Sequence, residues 1–199
     1  WGATTASPPG RWRRPLGLLW VDAHADMNTP STSTSGNVHG MPLAALLGPE
    51  PAELASIGDV MPAIRPDRVA LLGIRSLDAQ EKALVRDSGV HLFTMSDIDR
   101  LGLATVTQRA LSLIGRGRAD LHVSFDLDVC DPAIAPGVGT PVRGGLSYRE
   151  THMLMELVAD TGRLRALDLV EVNPTLDTHN ATAELAVEFA LSAFGQRIL

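Results

Sequence analysis

Two short acidic motifs dominate the chemistry this chain could perform. The first is Asp22-Ala23-His24-Ala25-Asp26, and the second is Asp126-Leu127-Asp128. Each directly follows an apolar run, LGLLWV in one case and LHVSF in the other. An extended segment would put Asp22, His24 and Asp26, at i, i+2 and i+4, on one side, and the same spacing pairs Asp126 with Asp128. Carboxylates gathered at buried strand ends repel one another, so they need cations or must take up protons. Oxygen donors with one imidazole and no thiolate favour Mn²⁺, with Zn²⁺ and Fe²⁺ as further candidates. Carboxylates bridge ions readily, and two ions roughly 3.5–4 Å apart can hold a hydroxide and lower its pKa towards neutrality. That nucleophile suits a poor electrophile. A lone Asp-x-Asp at a strand end can be a mere cap, but two motifs behind two strong strands make a metal centre the better reading. The histidine and the lack of an EF-hand pattern disfavour a calcium loop.

Further polar residues stand ready around these motifs. From Asn28 the chain reads NTPSTSTSGNVHG, a loop dense in hydroxyls and amides that could read the polar groups of a substrate. His39, at the end of that loop, could shuttle protons near neutral pH or be a bystander. Glu171, in LVEVNP, ends an apolar run and needs a partner. A guanidinium ligand would supply one through charge-assisted hydrogen bonds, and so would an internal arginine.

Positioning these groups requires strands. Leu16–Val21, Val69–Ile74, His91–Thr94, Leu121–Asp126 and Leu167–Val172 are short apolar strand candidates, as buried parallel strands should be. Helical patterns near Met41–Leu47, Asp78–Ser88, Thr105–Ile114, Tyr148–Thr161 and Ala181–Phe194 separate them. Ser147 and Glu150 form a capping-box pair, and Gly162 is a natural stop. Ser96 with Asp97 and Asp99 reads as helix-start chemistry. The alternation predicts a three-layer α/β/α fold with a mostly parallel sheet, whose function collects beyond the carboxyl ends of the strands. Residues 1–15, rich in Pro, Gly, Ser, Thr and Arg, read as an unstructured lead-in to a single domain over 16–199. The Arg11–Arg14 cluster reads as part of a solvated tail.

Composition narrows the classes. The 199 residues are 45% hydrophobic, enough for one ordinary domain with a real core. A net charge of -6 argues against a general nucleic-acid surface. One cysteine, Cys130, excludes an internal disulfide framework and reads as a packed bystander. Trp20 reads as packing behind the metal strand. No run approaches a membrane span and no signal peptide is visible, so a cytoplasmic location is expected.

The stretches WVDAHADMNTPSTSTSGNVHGMP, SFDLDVCDPAIAPGVGTPVRGGLSYRE and LDLVEVNP resemble the signature segments of the ureohydrolase superfamily. The SGN-x-HG form of the loop resembles the arginases more than the agmatinases. The resemblance runs from about Leu16 to the C-terminus. It implies a Mn²⁺ pair and hydrolysis of L-arginine to L-ornithine and urea by a metal-bridging hydroxide, in a homo-oligomer, trimer or hexamer. Carried over by motif, Asp22, Asp26 and Asp126 serve one metal, and Asp22, His24, Asp126 and Asp128 the other. His39 matches the proton shuttle and Glu171 the acid that holds the guanidinium. Asn28, Ser35 and Asn37 match the loop at the α-carboxylate, Asp78 the acid near the α-amino group, and Thr140 an active-site threonine near Glu171. Asp128 and the metals would stabilise the tetrahedral intermediate. Alternatives are an agmatinase-like or other guanidino-compound hydrolase and a non-catalytic fragment.

The family carries a further N-terminal portion ending in a Gly-Gly-Asp-His-Ser motif, whose histidine completes one ligand set. No such motif occurs in this sequence, and His91, His122, His152 and His179 have no supporting motif. The expectation is a truncated or mis-started member lacking N-terminal strands, with one metal held more weakly than the other, poor turnover and an aggregation-prone sheet edge.

Overall fold

The protein is described by a computed structural model covering residues 15–58 and 60–197. The lead-in therefore lies outside the described residues except for Pro15, and so does the Arg11–Arg14 cluster. Among the described residues five strands form the sheet: β1 (Leu16–Val21), β2 (Val69–Ile74), β3 (His91–Thr94), β4 (Asp120–Asp126) and β5 (Leu164–Val170). Their order is β3-β2-β1-β4-β5, and every neighbouring pair is parallel. The chain starts at the centre with β1, builds outwards through β2 and β3, then crosses back to lay β4 on the other side of β1. The loops leaving β1 and β4 thus run apart at a topological switch point, where open α/β sheets leave a crevice beyond the strand ends. Both acidic motifs follow these two adjacent strands.

Among the described residues seven helices accompany the sheet: α1 (Pro42–Leu47), α2 (Ala52–Ala55), α3 (Ala79–Ser88), α4 (Met95–Leu101), α5 (Leu103–Ile114), α6 (Tyr148–Asp160) and α7 (Ala181–Ala193). Strand alternation sorts the core into two faces. Leu19 and Val21 of β1 join Leu72, Val123 and Phe125 on one face, against Val106 and Ile114 of α5, Leu154 and Val158 of α6 and Phe189 of α7. Leu18 and Trp20 join Val69 and Leu71 on the other, against Leu43 of α1 and Val85 of α3. This is the three-layer arrangement that the strand–helix alternation implied.

Several boundaries differ from the sequence reading. The Ser147–Glu150 capping box forms as expected. The helix after β3, however, is capped by Thr94 in a capping box with Asp97, two residues earlier than Ser96 suggests. The short α2 follows Pro51, itself extended as the N-cap residue, and its four residues carry no resolvable period. β5 begins at Leu164 and ends at Val170, whereas Leu167–Val172 was expected. Pairing with β4, which starts at Leu121 opposite Leu164, sets the register, and local hydrophobicity does not. Glu171 therefore lies just past the strand.

Among the described residues β5 pairs with β4 alone, and none of its residues is fully buried, whereas β4 is buried throughout. Beside it the sheet carries an apolar hollow of about 160 Å³ lined by Leu18, Trp20, Pro42, Leu46, Leu54 and Ile57. His122 opens onto this hollow with Nε2 2.8 Å from Oδ2 of Asp168, so it serves the sheet face and not the acidic cluster. No helix among the described residues is long and apolar enough to cross a membrane.

Candidate metal centre and substrate cavity

The convergence of the acidic motifs comes from turns, not from strand alternation. β1 stops at Val21, and the backbone N–H of Asp22 still donates to the Leu72 carbonyl at 3.1 Å. The chain then turns sharply, with the His24 N–H donating to Asp22 Oδ1 at 2.6 Å. Asp26 adopts a left-handed backbone, φ 54°. After β4 a 3-10 turn, Leu127–Val129, brings Asp128 back, its N–H donating to Asp126 Oδ1 at 2.7 Å. Gly73 allows the two strand ends to meet. It sits at a register irregularity of β2 with φ +94°, and a Cβ there would lie 2.5 Å from Val129 Cγ2.

The cross-link between the motifs is direct. Asp128 Oδ1 accepts from the Ala23 N–H at 3.1 Å, and Asp128 Oδ2 lies 3.0 Å from His24 Nδ1. Asp22 Oδ1 is 3.5 Å from the same ring nitrogen. One ligand atom each from Asp22, His24 and Asp128 fits within a 4.8 Å span. Trp20 Nε1 donates to Asp22 Oδ2 at 3.1 Å, so this tryptophan orients the cluster as well as packing behind it.

The electrostatics show what the cluster lacks. Asp22, Asp26, Asp126 and Asp128 are at most 9% exposed. Burial, with neighbouring carboxylates adding to it, pushes Asp22 up to about 7 and Asp126 up to about 11, and holds Asp26 well above the carboxylate range. Burial acts against a charged His24, but hydrogen bonds to Asp128 and Asp22 outweigh it and raise the imidazole to about 10. The same contacts hold Asp128 below its ordinary value against the effect of burial. Four buried carboxylates with one imidazole cannot all ionise unaided, and a divalent cation would relieve their repulsion. The donor set is oxygen-rich with one nitrogen and fits Mn²⁺.

A cavity of about 240 Å³ opens above this cluster. His24, Asp26, Asp126 and Asp128 line it, while Asp22 is buried outside the lining. The same cavity gathers Asn28, Ser35, Asn37, His39, Asp78, Thr140 and Glu171, residues from well-separated parts of the chain. Asn28 Nδ2 donates to Asp78 Oδ2 at 2.9 Å, while Asp78 Oδ1 caps α3 by accepting from the Gln80 and Glu81 N–H groups. Backbone hydrogen bonding from Glu81, with the Asn28 amide, holds Asp78 below its ordinary value. Thr140 Oγ1 donates to Asp128 Oδ2 at 3.1 Å. His39 sits in a 3-10 turn, Val38–Gly40, with Nδ1 4.0 Å from Glu171 Oε1. Glu171 has φ 68°, a strained conformation for a residue with a Cβ, of the kind that concentrates at functional sites. Among the described residues no arginine pairs with it.

Two cavity residues, Glu81 and Ser76, escape a reading by motif. Glu81 is buried, accepts from the Met27 N–H at 3.1 Å, and has its pKa raised by burial. Its signal was present, because it lies three residues after Asp78 on the same helix. Ser76 carries no such signal, whereas Ser33 and Thr34 belong to the polar loop from Asn28. Of the remaining histidines, neither His91, His152 nor His179 lines the cavity; His152 Nδ1 instead meets Ser192 Oγ at 2.8 Å. Cys130 is buried against Thr151, and burial pushes its thiol up to about 12, so it is a packed bystander.

A parallel sheet with helices on both faces and a buried carboxylate–imidazole cluster at its switch point defines an α/β protein with a candidate metal centre. Comparison with known proteins gives the family. The chain belongs to the Arginase family, which it matches over residues 4–195. It is 47% identical over 184 residues to an arginase of Bacillus caldovelox and 46% identical to one of Bacillus subtilis, covering 92% of this chain and 62% of each relative. The solved Bacillus caldovelox arginase superposes with a TM-score of 0.90, covering 93% of this chain and 62% of that one. An Entamoeba histolytica arginase solved with L-ornithine gives 0.85 at 35% identity, covering 92% and 61%. The chain thus spans about 62% of the length of the curated relatives it matches.

Proposed function

We propose that this chain carries the catalytic part of a manganese-dependent arginase, which hydrolyses L-arginine to L-ornithine and urea. One observation supports this above the others: His24, Asp26, Asp126 and Asp128 and a hydroxyl- and amide-lined loop share a single cavity with His39 and Glu171. Two bound Mn²⁺ ions would lower the pKa of a water towards neutrality and act as Lewis acids.

The protein's own residues do the rest. Asp22, His24, Asp26, Asp126 and Asp128 hold the ions. Glu171 accepts charge-assisted hydrogen bonds from the guanidinium and fixes its carbon for attack, a positioning contribution. Its strained backbone gives that carboxylate one direction. His39, 4.0 Å from Glu171, is placed to pass a proton to the departing amine. Thr140 steadies Asp128 through its hydroxyl. Asn28, Ser35 and Asn37 meet the α-carboxylate, and Asp78 the α-amino group. Those polar donors favour an amino acid over agmatine, which has no carboxylate. A homo-oligomeric whole protein in the cytoplasm belongs to the same reading.

The test is urea release by the Mn²⁺-loaded chain from L-arginine and from agmatine. Arginine turnover at least ten times that of agmatine is expected. Equal or reversed rates would reassign the substrate, and no urea from either would leave the chain without hydrolase activity.

A further inference from the structure

Arg75 follows β2 directly and spends its guanidinium on backbone carbonyls. Nη2 donates to Asp128 O and Val142 O, each at 2.7 Å, and reaches Cys130 O at 3.3 Å. Nη1 donates to Val129 O at 3.1 Å and reaches Gly73 O at 3.5 Å. Its own N–H donates to Ala23 O at 2.9 Å. Among the described residues no carboxylate pairs with it, and its Nε is buried without a partner. Burial lowers the guanidinium from its ordinary value, opposed mainly by the charge of Asp128. An arginine half out of water with no ion-pair partner among the described residues costs stability, so its contacts must return something.

What those contacts join is specific. The main chain of Arg75 holds the first metal motif at Ala23. The guanidinium holds the 3-10 turn carrying Asp128, and Val142, two residues past Thr140. Thr140 Oγ1 in turn donates to Asp128 Oδ2 at 3.1 Å. Two separate segments of the site therefore meet on one planar fork, and the backbone of the same residue ties in a third at Ala23. A lysine carries the charge but cannot address carbonyls on two segments from a rigid plane.

We propose that Arg75 is a positioning residue that locks the Asp128 turn to the Thr140 loop, so that Thr140 keeps the Asp128 carboxylate aimed at the metal cluster. Only the last clause rests on the metal reading above.

The experiment compares the chain with its Arg75→Lys and Arg75→Met variants by amide hydrogen exchange and by Mn²⁺ titration. Exchange in segments 127–131 and 139–145 should quicken by about 10-fold or more in Arg75→Met, with β1 and β4 amides unchanged. Arg75→Lys should rescue this partly. Mn²⁺ affinity should fall about 10-fold, as for loss of a residue that orients a ligand. Adding Thr140→Val to Arg75→Met should cost little further affinity, because the contact is already lost. Unchanged exchange in the two segments, exchange raised equally over the whole chain, or fully additive losses would overturn the proposal. If the chain binds no Mn²⁺ with Arg75 intact, the metal reading falls, and the exchange result decides whether Arg75 locks the two loops.

Discussion

His24 Nδ1 stands 3.0 Å from Asp128 Oδ2, joining two turns 104 positions apart across the junction of β1 and β4. Without a cation, a proton on this imidazole takes the place of positive charge among four buried carboxylates. Metal loading must displace that proton and those on the raised aspartates, so metal affinity and protonation are linked.

The metal-free chain should lose stability as pH rises. Asp22 is raised to about 7 in the folded state, against about 4 when unfolded, so between these values the folded state holds the extra proton. His24, raised to about 10 from an ordinary value near 6.5, extends the same sign to higher pH. Binding of Mn²⁺ expels these protons and becomes stronger with pH. Thermal melts from pH 5 to 8 should therefore show a falling Tm without metal and a widening gain with Mn²⁺. A metal-free Tm that climbs over this range would contradict the linkage.

Trp20→Phe keeps aromatic bulk in the core and removes the N–H that holds Asp22 Oδ2. Mn²⁺ affinity should drop about 10-fold, as for loss of a ligand-orienting hydrogen bond. Isothermal titration reads this directly, and a melt checks that the fold persists.

Glu171→Gln removes the charge that receives the guanidinium and preserves its shape. A charge-assisted bond of about 1.5–3 kcal/mol corresponds to a roughly 10- to 100-fold loss in kcat/KM for arginine. Mn²⁺ binding should be unaffected, because this carboxylate is not among the proposed ligands. Steady-state kinetics beside metal titration separates the two effects.

Gly73→Ala should unfold the centre from beneath. The new Cβ would lie 2.5 Å from Val129 Cγ2, on a backbone with φ +94°. Strain and overpacking together should cost at least about 2 kcal/mol, read as a shift in the denaturation midpoint.

The outer edge of β5 and the adjoining apolar hollow should make this chain, taken by itself, associate. Exposed strand edges recruit other strands. Light scattering after size exclusion should show mass growing with concentration. A monodisperse monomer throughout would count against it.

The sequence by itself determined β1, β2 and β3, most helices and the residue types that meet in the cavity. Leu16–Val21 and Val69–Ile74 are apolar on both faces, which only a buried parallel strand tolerates, and Asp22, His24, Asp126 and Asp128 have a donor chemistry visible in their residue types. Only the tertiary structure decided how these groups face one another. The turn that returns Asp128 to His24, the left-handed backbone that aims Glu171, the end of β5 at Val170, and the roles of Trp20, Arg75 and Glu81 all depend on contacts between distant segments. Local pattern records whether a residue prefers water or core. It does not record which remote carbonyl, carboxylate or strand will satisfy it, because that partner is chosen when β1 and β4 pair and bring the loops beyond them together.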